Sequence, residues 1–483
     1  MSRKFLFLLQ FSVVLLAGIT ASHAYEQIEL PDLGDPAGSA LSFAEENRIG
    51  KEIMQEIRKQ RVMVNDLLTQ EYINSLGYRL LGKADSAVHD FHFFVIKDDT
   101  INAFALPGGY VGFNAGLITV SENENELAAV MAHEISHVTQ RHLARAYFHN
   151  SRMQGPLLAA MIAGILLGGE VGEAAIVAAN AGAQQSQINF TRKNEQEADS
   201  IGIALLAKAG YDPYSMATLF EKMYRESRLY GGAPPEFLST HPMYDSRISD
   251  AQLRAQQYPN QSTGDSIEYR VVKARLKVLL HENPIKLARE LGRMLQGGQT
   301  ADEIMDRYAY ALALLESEQL DKALEQSNIL LQQKPSIHAF HLIRAEIDLR
   351  AGRDQQALNR VRQLLQERPD DHVITLKYAR MLINTGKARQ AGKLLEDYMQ
   401  YRSGEPDVYR LLSRASKSVG DTAQSHAYMA EYYRLVGDTD QAISHIEAAL
   451  KGSIRDYYFE SSLQARLKEL QKEKDEKDKN KKL

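Results

Sequence analysis

The sequence lacks cysteine and tryptophan, and its apolar runs are short. Without cysteine, disulfide bonds are excluded, so the 483 residues must be held together by ordinary hydrophobic cores. A membrane-spanning helix needs about 20 apolar residues, and the two most apolar stretches, residues 5–19 and 157–169, are shorter. A chain of this length is expected to form two or three domains.

The sequence also lacks an excess of positive charge. Its 57 basic and 62 acidic side chains give a formal net charge of −5. Nucleic-acid binding relies on many Lys and Arg side chains that neutralise phosphates. We therefore expect no nucleic-acid partner.

The first 24 residues are typical of an export signal. Arg3 and Lys4 precede the apolar run, and Ser22 and Ala24 have the small-residue spacing that signal peptidase requires. We expect cleavage near Ala24 and a bacterial periplasmic protein, the alternative being an uncleaved membrane anchor. An exported chain of this size without cysteine is more typical of a bacterial periplasmic protein than of a small secreted scaffold held by disulfides.

The rest of the chain divides into two parts with different patterns. Residues 25–265 combine helical patterns with a strand-like stretch at 91–120, in which a Pro107-Gly108-Gly109 turn indicates a hairpin. This pattern predicts an α+β domain. Residues 270–465 are predicted to be an all-α solenoid. Residues 466–483 are a charged tail, which is expected to be frayed and solvated from Lys472 onwards.

A period of 34 residues identifies the solenoid. Small residues recur at this spacing in two series, glycines in a third and prolines in a fourth, which are Ala311, Ala345, Ala379 and Ser413; Ala323, Ala357, Ala391 and Ser425; Gly352, Gly386 and Gly420; and Pro335 and Pro369. Paired antiparallel helices require small residues where they touch. This spacing resembles the tetratricopeptide (TPR) repeat, from about 300 to 450, preceded by a less regular helical pair at 270–297.

Residues 133–137, HEISH, are a candidate metal-binding motif. Ser121 and Glu124 predict a capping box, so that a helix begins there and continues through the motif. Four residues along a helix correspond to about 40° of rotation and 6 Å of rise, so His133 and His137 point the same way and can bind one Zn²⁺. Glu134 lies beside them and can take a proton from water.

The third ligand is sought on a second predicted helix, at 189–213. With Glu195 at zero, Asp199 falls at about 40° and Glu197 at about 200° on a helical wheel. Glu195 is therefore the candidate ligand, with Asp199 as an acceptor that orients a ligating histidine. Glu197 is expected to face water. The alternative is that both inward-facing carboxylates are ordinary surface charges.

These motifs resemble those of the HtpX and CAAX prenyl protease family. HEISH is followed about 60 residues later by Glu195, Ala198 and Asp199, and YINSLGYRL, NAFALPGG and THPMYDSR match as well, over roughly residues 45–255. The resemblance implies a gluzincin-like HExxH zinc metallopeptidase with one Zn²⁺ per chain held by His133, His137 and Glu195.

The same resemblance suggests catalytic roles for His241 and Arg247, which that family places at the cleft. His241 either stabilises the oxyanion of the tetrahedral intermediate or occupies the open metal position at rest, and a plain loop histidine is the alternative. His142, nine residues after His133, is expected to be a surface histidine because a continuous helix would turn it away.

Two further segments carry hypotheses. Gly108, Gly109, Tyr110 and Val111 could pair with the backbone of an extended substrate, the alternative being an ordinary hairpin. The apolar segment 153–191 could cover the cleft, touch the membrane surface or dock on an apolar partner, or form a buried helical hairpin.

The resemblance implies an endopeptidase of outer-membrane protein quality control. It would degrade misfolded or stalled β-barrel proteins and assist their assembly through the repeats, with the insertion machinery as partner and possible peripheral contact with the outer membrane. One alternative is a chaperone or assembly scaffold that acts mainly through the repeats, with minor proteolysis. A prenyl-protein protease is disfavoured by the missing membrane spans.

Overall fold

The structure is a computed structural model that describes residues 41–60, 62–84, 90–149, 185–229, 236–243, 246–259, 264–452 and 456–480. The predicted signal peptide and residues 153–184 of the apolar segment lie outside the described residues. Within these ranges, no helix combines the length and apolar character needed to cross a bilayer.

The first domain combines helices with a small sheet. Its elements are α1 (Phe43–Gln60), α2 (Leu67–Leu81), β1 (His92–Ile96), β2 (Ala103–Leu106), β3 (Tyr110–Asn114), α3 (Ala115–Val120), α4 (Glu124–Thr139), α5 (His142–His149), α6 (Gln185–Ala209), α7 (Ser215–Leu229), α8 (Glu236–Thr240) and α9 (Arg247–Ala255).

Three strands form the described sheet in the order β1-β3-β2. β1 runs parallel to β3, and β2 runs antiparallel to β3 through the predicted hairpin. Gly108 and Gly109 make this turn at φ values of 77° and 81°, which residues with a Cβ rarely adopt. The hairpin prediction is thus confirmed.

Both faces of the sheet are buried. Phe93, Val95 and Phe113 pack towards α2, α4 and α7, whereas Phe94 and Phe104 pack towards α1. The period-2 pattern in β1 therefore separates two apolar cores rather than core from solvent. The sheet is a central layer against which α4 is placed.

The helix that carries HEISH begins at Glu124, so the predicted start at Ser121 is wrong. Asn123 is the N-cap, and its Oδ1 accepts a hydrogen bond of 3.0 Å from the Glu126 N–H. Glu126 Oε2 in turn accepts from the Glu122 N–H at 2.8 Å. Ser121 instead ends α3, where its hydroxyl donates to the Leu117 carbonyl.

The second part is the predicted helical array. Its helices are α10 (Ile267–Leu279), α11 (Pro284–Gln296), α12 (Glu303–Glu316), α13 (Leu320–Gln333), α14 (His338–Arg350), α15 (Asp354–Glu367), α16 (His372–Asn384), α17 (Ala388–Met399), α18 (Pro406–Ser418), α19 (Thr422–Leu435), α20 (Thr439–Leu450) and α21 (Tyr457–Asn480).

Small residues lie where paired helices of the array touch. Ala345 and Ala357, like the equivalent alanines of the flanking repeats, are fully buried. In the last regular repeat serines replace them, and the Ser413 and Ser425 hydroxyls lie 3.0 Å apart in a hydrogen bond. The serines therefore keep the close helix approach without leaving a buried hydroxyl unpaired.

The charged tail is helical rather than frayed as far as the structure describes it, and residues 472–475 are exposed, as expected of a solvated end. Helix α21 continues to Asn480, and Leu463 and Leu470 are buried in a cluster with α19 and α20. These spaced leucines give the charged segment an apolar face, which covers the open end of the array.

Polar contacts anchor the array to the first domain at both of its ends and between them. Arg275 on α10 donates to both carboxylate oxygens of Asp66, which caps α2, and to the Tyr308 hydroxyl. At the other end of the array, Arg58 on α1 donates to the Val436 carbonyl at 3.0 Å. Since Asp66 and Arg275 are buried, the two parts form one packed unit.

Candidate metal centre and active site

Helices α4 and α6 and the residue after α8 bring four metal-binding side chains together. His133 and His137 come from α4, Glu195 from α6, and His241 directly follows α8. Their ligand atoms lie within 4.8 Å of one another. Apart from His137, whose side chain is 12% exposed, all of them are buried. The HEISH histidines, the predicted third ligand Glu195 and His241 therefore meet at one point.

The measured separations within this cluster are uniform. His133 Nε2 lies 3.0 Å from His137 Nε2 and 3.2 Å from His241 Nδ1. Glu195 places its carboxylate oxygens 3.4 Å from His133 Nε2, 3.3 Å from His137 Nε2 and 3.2 Å from His241 Nδ1. Four ligand atoms thus surround a common centre.

This donor set fits Zn²⁺. With zinc–ligand bonds of about 2.0–2.1 Å, neighbouring ligand atoms of a tetrahedral site are roughly 3.3 Å apart, close to the separations measured here. Three imidazoles and one carboxylate are also ligands that zinc accepts readily. His133, His137 and Glu195 would hold the ion, and His241 is placed to complete the tetrahedron.

Glu134 lies beside this cluster, and its carboxylate is not among the ligand atoms. It is fully buried, and neither carboxylate oxygen has a hydrogen-bond partner among the described residues. His241 Nε2 lies 3.3 Å from Glu134 Oε1. Burial raises the pKa of Glu134, which moves a carboxylate towards the range useful for proton transfer at neutral pH.

Arg247 lies behind the ligands rather than in an open cleft. Its fully buried guanidinium donates to both oxygens of Asp199, at 2.8 and 2.9 Å, and contacts Glu195 Oε2 at 2.8 Å. It also donates to the His241 carbonyl at 3.1 Å and stacks 4.3 Å above the Phe220 ring. Arg247 is therefore enclosed by protein groups, an environment that favours a positioning role over the direct catalytic role predicted for it.

Asp199 lies where the helical wheel placed it. Its Oδ1 is 2.9 Å from Nδ1 of His133, the ring nitrogen that faces away from the ligand cluster, in a close charge contact whose angle is poor for a hydrogen bond. A carboxylate in this position fixes the orientation of a ligating imidazole.

The electrostatics of the cluster suit cation binding. Burial alone would raise the pKa of Glu195, but the His241 ring in its protonated form and the Arg247 guanidinium outweigh burial and hold that pKa well below its ordinary value. The Arg247 cation remains beside Glu195 when His241 is neutral. Burial lowers the pKa of both His137 and His241. The cluster therefore offers an anionic carboxylate and two neutral imidazoles, which are the forms that bind a metal.

His133 differs from the other two histidines. Burial would lower its pKa, but the contacts with Asp199 and Glu195 outweigh burial and raise the pKa to about 9. The close contact with Asp199 sets this ring apart from the other two.

The structure overturns the expectation that His142 is a surface residue. His142 is buried, its Nδ1 lies 2.9 Å from His137 Nδ1, and its Nε2 lies 3.1 Å from Glu197 Oε2. Glu197, expected to face water, also accepts from Arg145 Nη2 at 2.8 Å. Burial, followed by the neighbouring His137 and Arg145, lowers the pKa of His142 to about 2, so its ring is neutral.

The helical extrapolation failed because α4 ends at Thr139. Arg141 has a φ of 52°, in the left-handed region, and this turn brings His142 back towards the metal cluster. Arg141 bonds to the Leu41 carbonyl and to Glu46, contacts that hold the unfavourable conformation. Neither glycine nor asparagine occupies this position, so no residue type in the sequence signals the turn.

The predicted substrate strand is in the wrong place. Tyr110 and Val111 belong to β3, which pairs with β1 on one side and β2 on the other, so it has no free edge. Gly108 and Gly109 form the turn between β2 and β3. Among the described residues, β2 lies at the edge of the sheet with no strand on its outer side, and it lies beside α4.

Comparisons with known proteins agree with this geometry. Residues 67–255 match Peptidase family M48, and residues 348–415 match a tetratricopeptide repeat family. The α+β domain is thus that of an HExxH metallopeptidase, and a TPR array follows it.

Named relatives narrow the assignment within this family. The beta-barrel assembly-enhancing protease of Escherichia coli K12 is 35% identical over 424 residues, covering 87% of this chain and 86% of that protein. A putative beta-barrel assembly-enhancing protease of Vibrio cholerae is 40% identical over 321 residues, covering 65% and 66%. The mitochondrial metalloendopeptidase OMA1 of Schizosaccharomyces pombe is 31% identical, covering 43% and 60%. The chain belongs to the M48 family of metallopeptidases, in the group of the beta-barrel assembly-enhancing proteases.

Proposed function

We propose that the protein is a zinc endopeptidase whose metal is held by His133, His137 and Glu195. The observation that carries this proposal is the cluster of four ligand atoms within 4.8 Å, beside a buried carboxylate that is not one of them. When bound, zinc supplies a Lewis acid that polarises a peptide carbonyl and activates water.

The residues around the metal position have separate tasks. Glu134 takes the proton from the attacking water and returns it to the leaving amine. Among the described residues, no hydrogen bond occupies its carboxylate oxygens. Asp199 holds the His133 ring. Arg247 holds Asp199, Glu195 and the backbone of His241 in register.

The open edge of β2 is the place where an extended peptide would align. The Asn102 carbonyl accepts a hydrogen bond from the Asn114 N–H of β3. In an antiparallel pair every second residue bonds to the partner strand, so Ala103 and Ala105 direct their N–H and C=O groups away from β3. Among the described residues, neither has a backbone partner outside the sheet. A substrate backbone could add here as a further strand, beside the helix that carries the metal ligands.

His241 occupies the position that a substrate carbonyl or water would need. Its Nδ1 is within 3.2 Å of His133 Nε2 and of Glu195, so it would fill the fourth position of the metal in the resting enzyme. We therefore expect His241→Ala to raise casein cleavage several-fold while zinc stays bound by the three remaining ligands. Casein assays on His241→Ala, with His341→Ala in the array as the control, test this. Slower cleavage by His241→Ala with zinc retained would instead assign His241 to oxyanion stabilisation.

The client and the compartment are proposed from the relatives. Their names connect them with β-barrel assembly, and the repeat array offers the kind of surface that binds peptides and proteins. We propose a periplasmic enzyme that degrades misfolded or stalled outer-membrane β-barrel proteins and assists their assembly, with the insertion machinery as a partner of the TPR array.

Zinc content tests the proposed site directly. Purified mature protein is expected to hold one zinc per chain and to cleave casein in a chelator-sensitive reaction. Glu195→Gln should lose both properties, because the amide removes the anionic ligand, whereas Glu122→Gln, which changes a carboxylate that is 71% exposed, should lose neither. Protein that never binds zinc, or a Glu195→Gln variant that keeps zinc and activity, would contradict the proposal.

A further inference from the structure

Behind His137 lies a chain of polar contacts that the proposed catalytic steps do not use. His137 Nδ1 lies 2.9 Å from His142 Nδ1, and His142 Nε2 lies 3.1 Å from Glu197 Oε2. Arg145 Nη2 completes the chain with a 2.8 Å bond to the same Glu197 oxygen. The His142 ring, which joins the two ends, is only 4% exposed.

The role of His137 as a metal ligand decides where each proton in this series of contacts lies. His137 directs Nε2 at the metal position, so Nε2 must carry a lone pair and Nδ1 must carry the proton. Two Nδ1 atoms at hydrogen-bond distance cannot both donate, so His142 Nδ1 is the acceptor. The His142 proton is then on Nε2, where it is donated to the Glu197 carboxylate.

We infer that His142 is a positioning residue that, together with Glu197, fixes the tautomer and ring orientation of the metal ligand His137. This inference rests on the proposed zinc site. It makes the two histidines of the HEISH motif equivalent in one respect, since Asp199 contacts Nδ1 of His133 directly and His142 contacts Nδ1 of His137. Each ligating ring then has an acceptor behind it.

The two supports differ in charge and exposure. Asp199 is a carboxylate with a side chain 5% exposed, whereas the Glu197 side chain is 38% exposed and acts through a neutral ring. Direct contact with a buried anion fixes an imidazole more strongly than contact with a neutral acceptor does. Loss of the His142 acceptor should therefore weaken metal binding without abolishing it.

A matched pair of substitutions at His142 separates hydrogen bonding from packing. Asparagine places Oδ1 near the position of the histidine Nδ1 and keeps an acceptor for His137, whereas leucine has nearly the same shape and no acceptor. We expect His142→Leu to lower zinc affinity by about 10–100-fold, as loss of such supporting contacts does elsewhere. His142→Asn should recover most of that loss.

The measurements use full-length mature protein. Zinc affinity is measured by competition with a chromophoric chelator, and the visible absorption of the Co²⁺-loaded protein reports ligand geometry independently of catalysis. Thermal unfolding of the metal-free variants shows whether either substitution damages the fold. A purely structural role would give His142→Leu and His142→Asn equal affinities and spectra, and that result would overturn the inference.

Substitutions at Glu197 provide a second test if His142→Leu fails to fold. Glu197→Gln keeps an acceptor for the His142 N–H and should retain most of the zinc affinity, while Glu197→Met removes the acceptor and should weaken binding. Equal affinities for these two variants would also overturn the inference. Wild-type protein that binds no zinc would overturn both the proposed function and the positioning role of His142. Normal zinc binding by all variants would overturn the positioning role alone.

Discussion

Glu134→Gln is expected to lower peptide cleavage by about 10²–10⁴-fold, the contribution typical of a general base, while zinc remains bound. The glutamine side chain has nearly the same size but cannot take a proton. Glu134 is not one of the clustered ligand atoms, so the metal site should survive the change. Single-turnover cleavage of casein together with zinc content on the same samples measures both effects.

The same variant separates proteolysis from binding by the repeats. An envelope function that survives Glu134→Gln would show that the TPR array acts mainly as a scaffold, whereas its loss would show that cleavage is required.

Truncating the array is a poorer test, because Arg275 of the array satisfies the buried Asp66 of the first domain. Removing that partner would leave a buried charge and destabilise the peptidase domain. Zinc loss in Glu134→Gln would contradict the assignment of Glu134 as a base.

Arg247→Ala is expected to damage the fold and the metal site together. The substitution leaves two buried carboxylates, Asp199 and Glu195, without their shared cation, and the loss of one partner from a buried ion pair costs about 3–5 kcal/mol. It also removes the donor to the His241 carbonyl. We expect the free energy of unfolding to fall by about this amount and zinc affinity to fall with it.

Denaturant unfolding of the metal-free and zinc-loaded protein measures these losses separately. Arg247→Lys should recover only part of the stability, since an ammonium cannot reproduce the bidentate contact with Asp199. Arg254→Ala is the control, because Arg254 lies on the same helix and bonds only to the Ser200 hydroxyl among the side chains that the structure describes. An unchanged unfolding midpoint in Arg247→Ala would contradict the positioning role.

The sequence predicted much of the metal site because its geometry is local to two helices. His133 and His137 lie four residues apart on one helix, and Glu195 and Asp199 lie four apart on another, so helical periodicity alone places each pair on one face. The 34-residue period likewise predicted the helical array, because each repeat contacts mainly its neighbours. The residue pattern left the ligand role of Glu195 open, and the family resemblance favoured it.

Predictions failed where a helix end or a strand order had to be known. His142 was misplaced because α4 ends at Thr139 and Arg141 adopts a positive φ, a conformation held by contacts with residues about 95–100 positions away. The substrate strand was misplaced because the strand order depends on β1 pairing with β3, from which it is separated in sequence by β2.

The sequence by itself determined the metal-binding motif, its carboxylate partner and the repeat architecture, because short-range helical spacing specifies them. Only the tertiary structure decided that Arg247 is enclosed behind the ligands, that His142 lies against His137, and that β2 is an edge strand of the described sheet. Each of these depends on long-range packing, in which a buried charge or ring nitrogen must find its partner from a distant part of the chain.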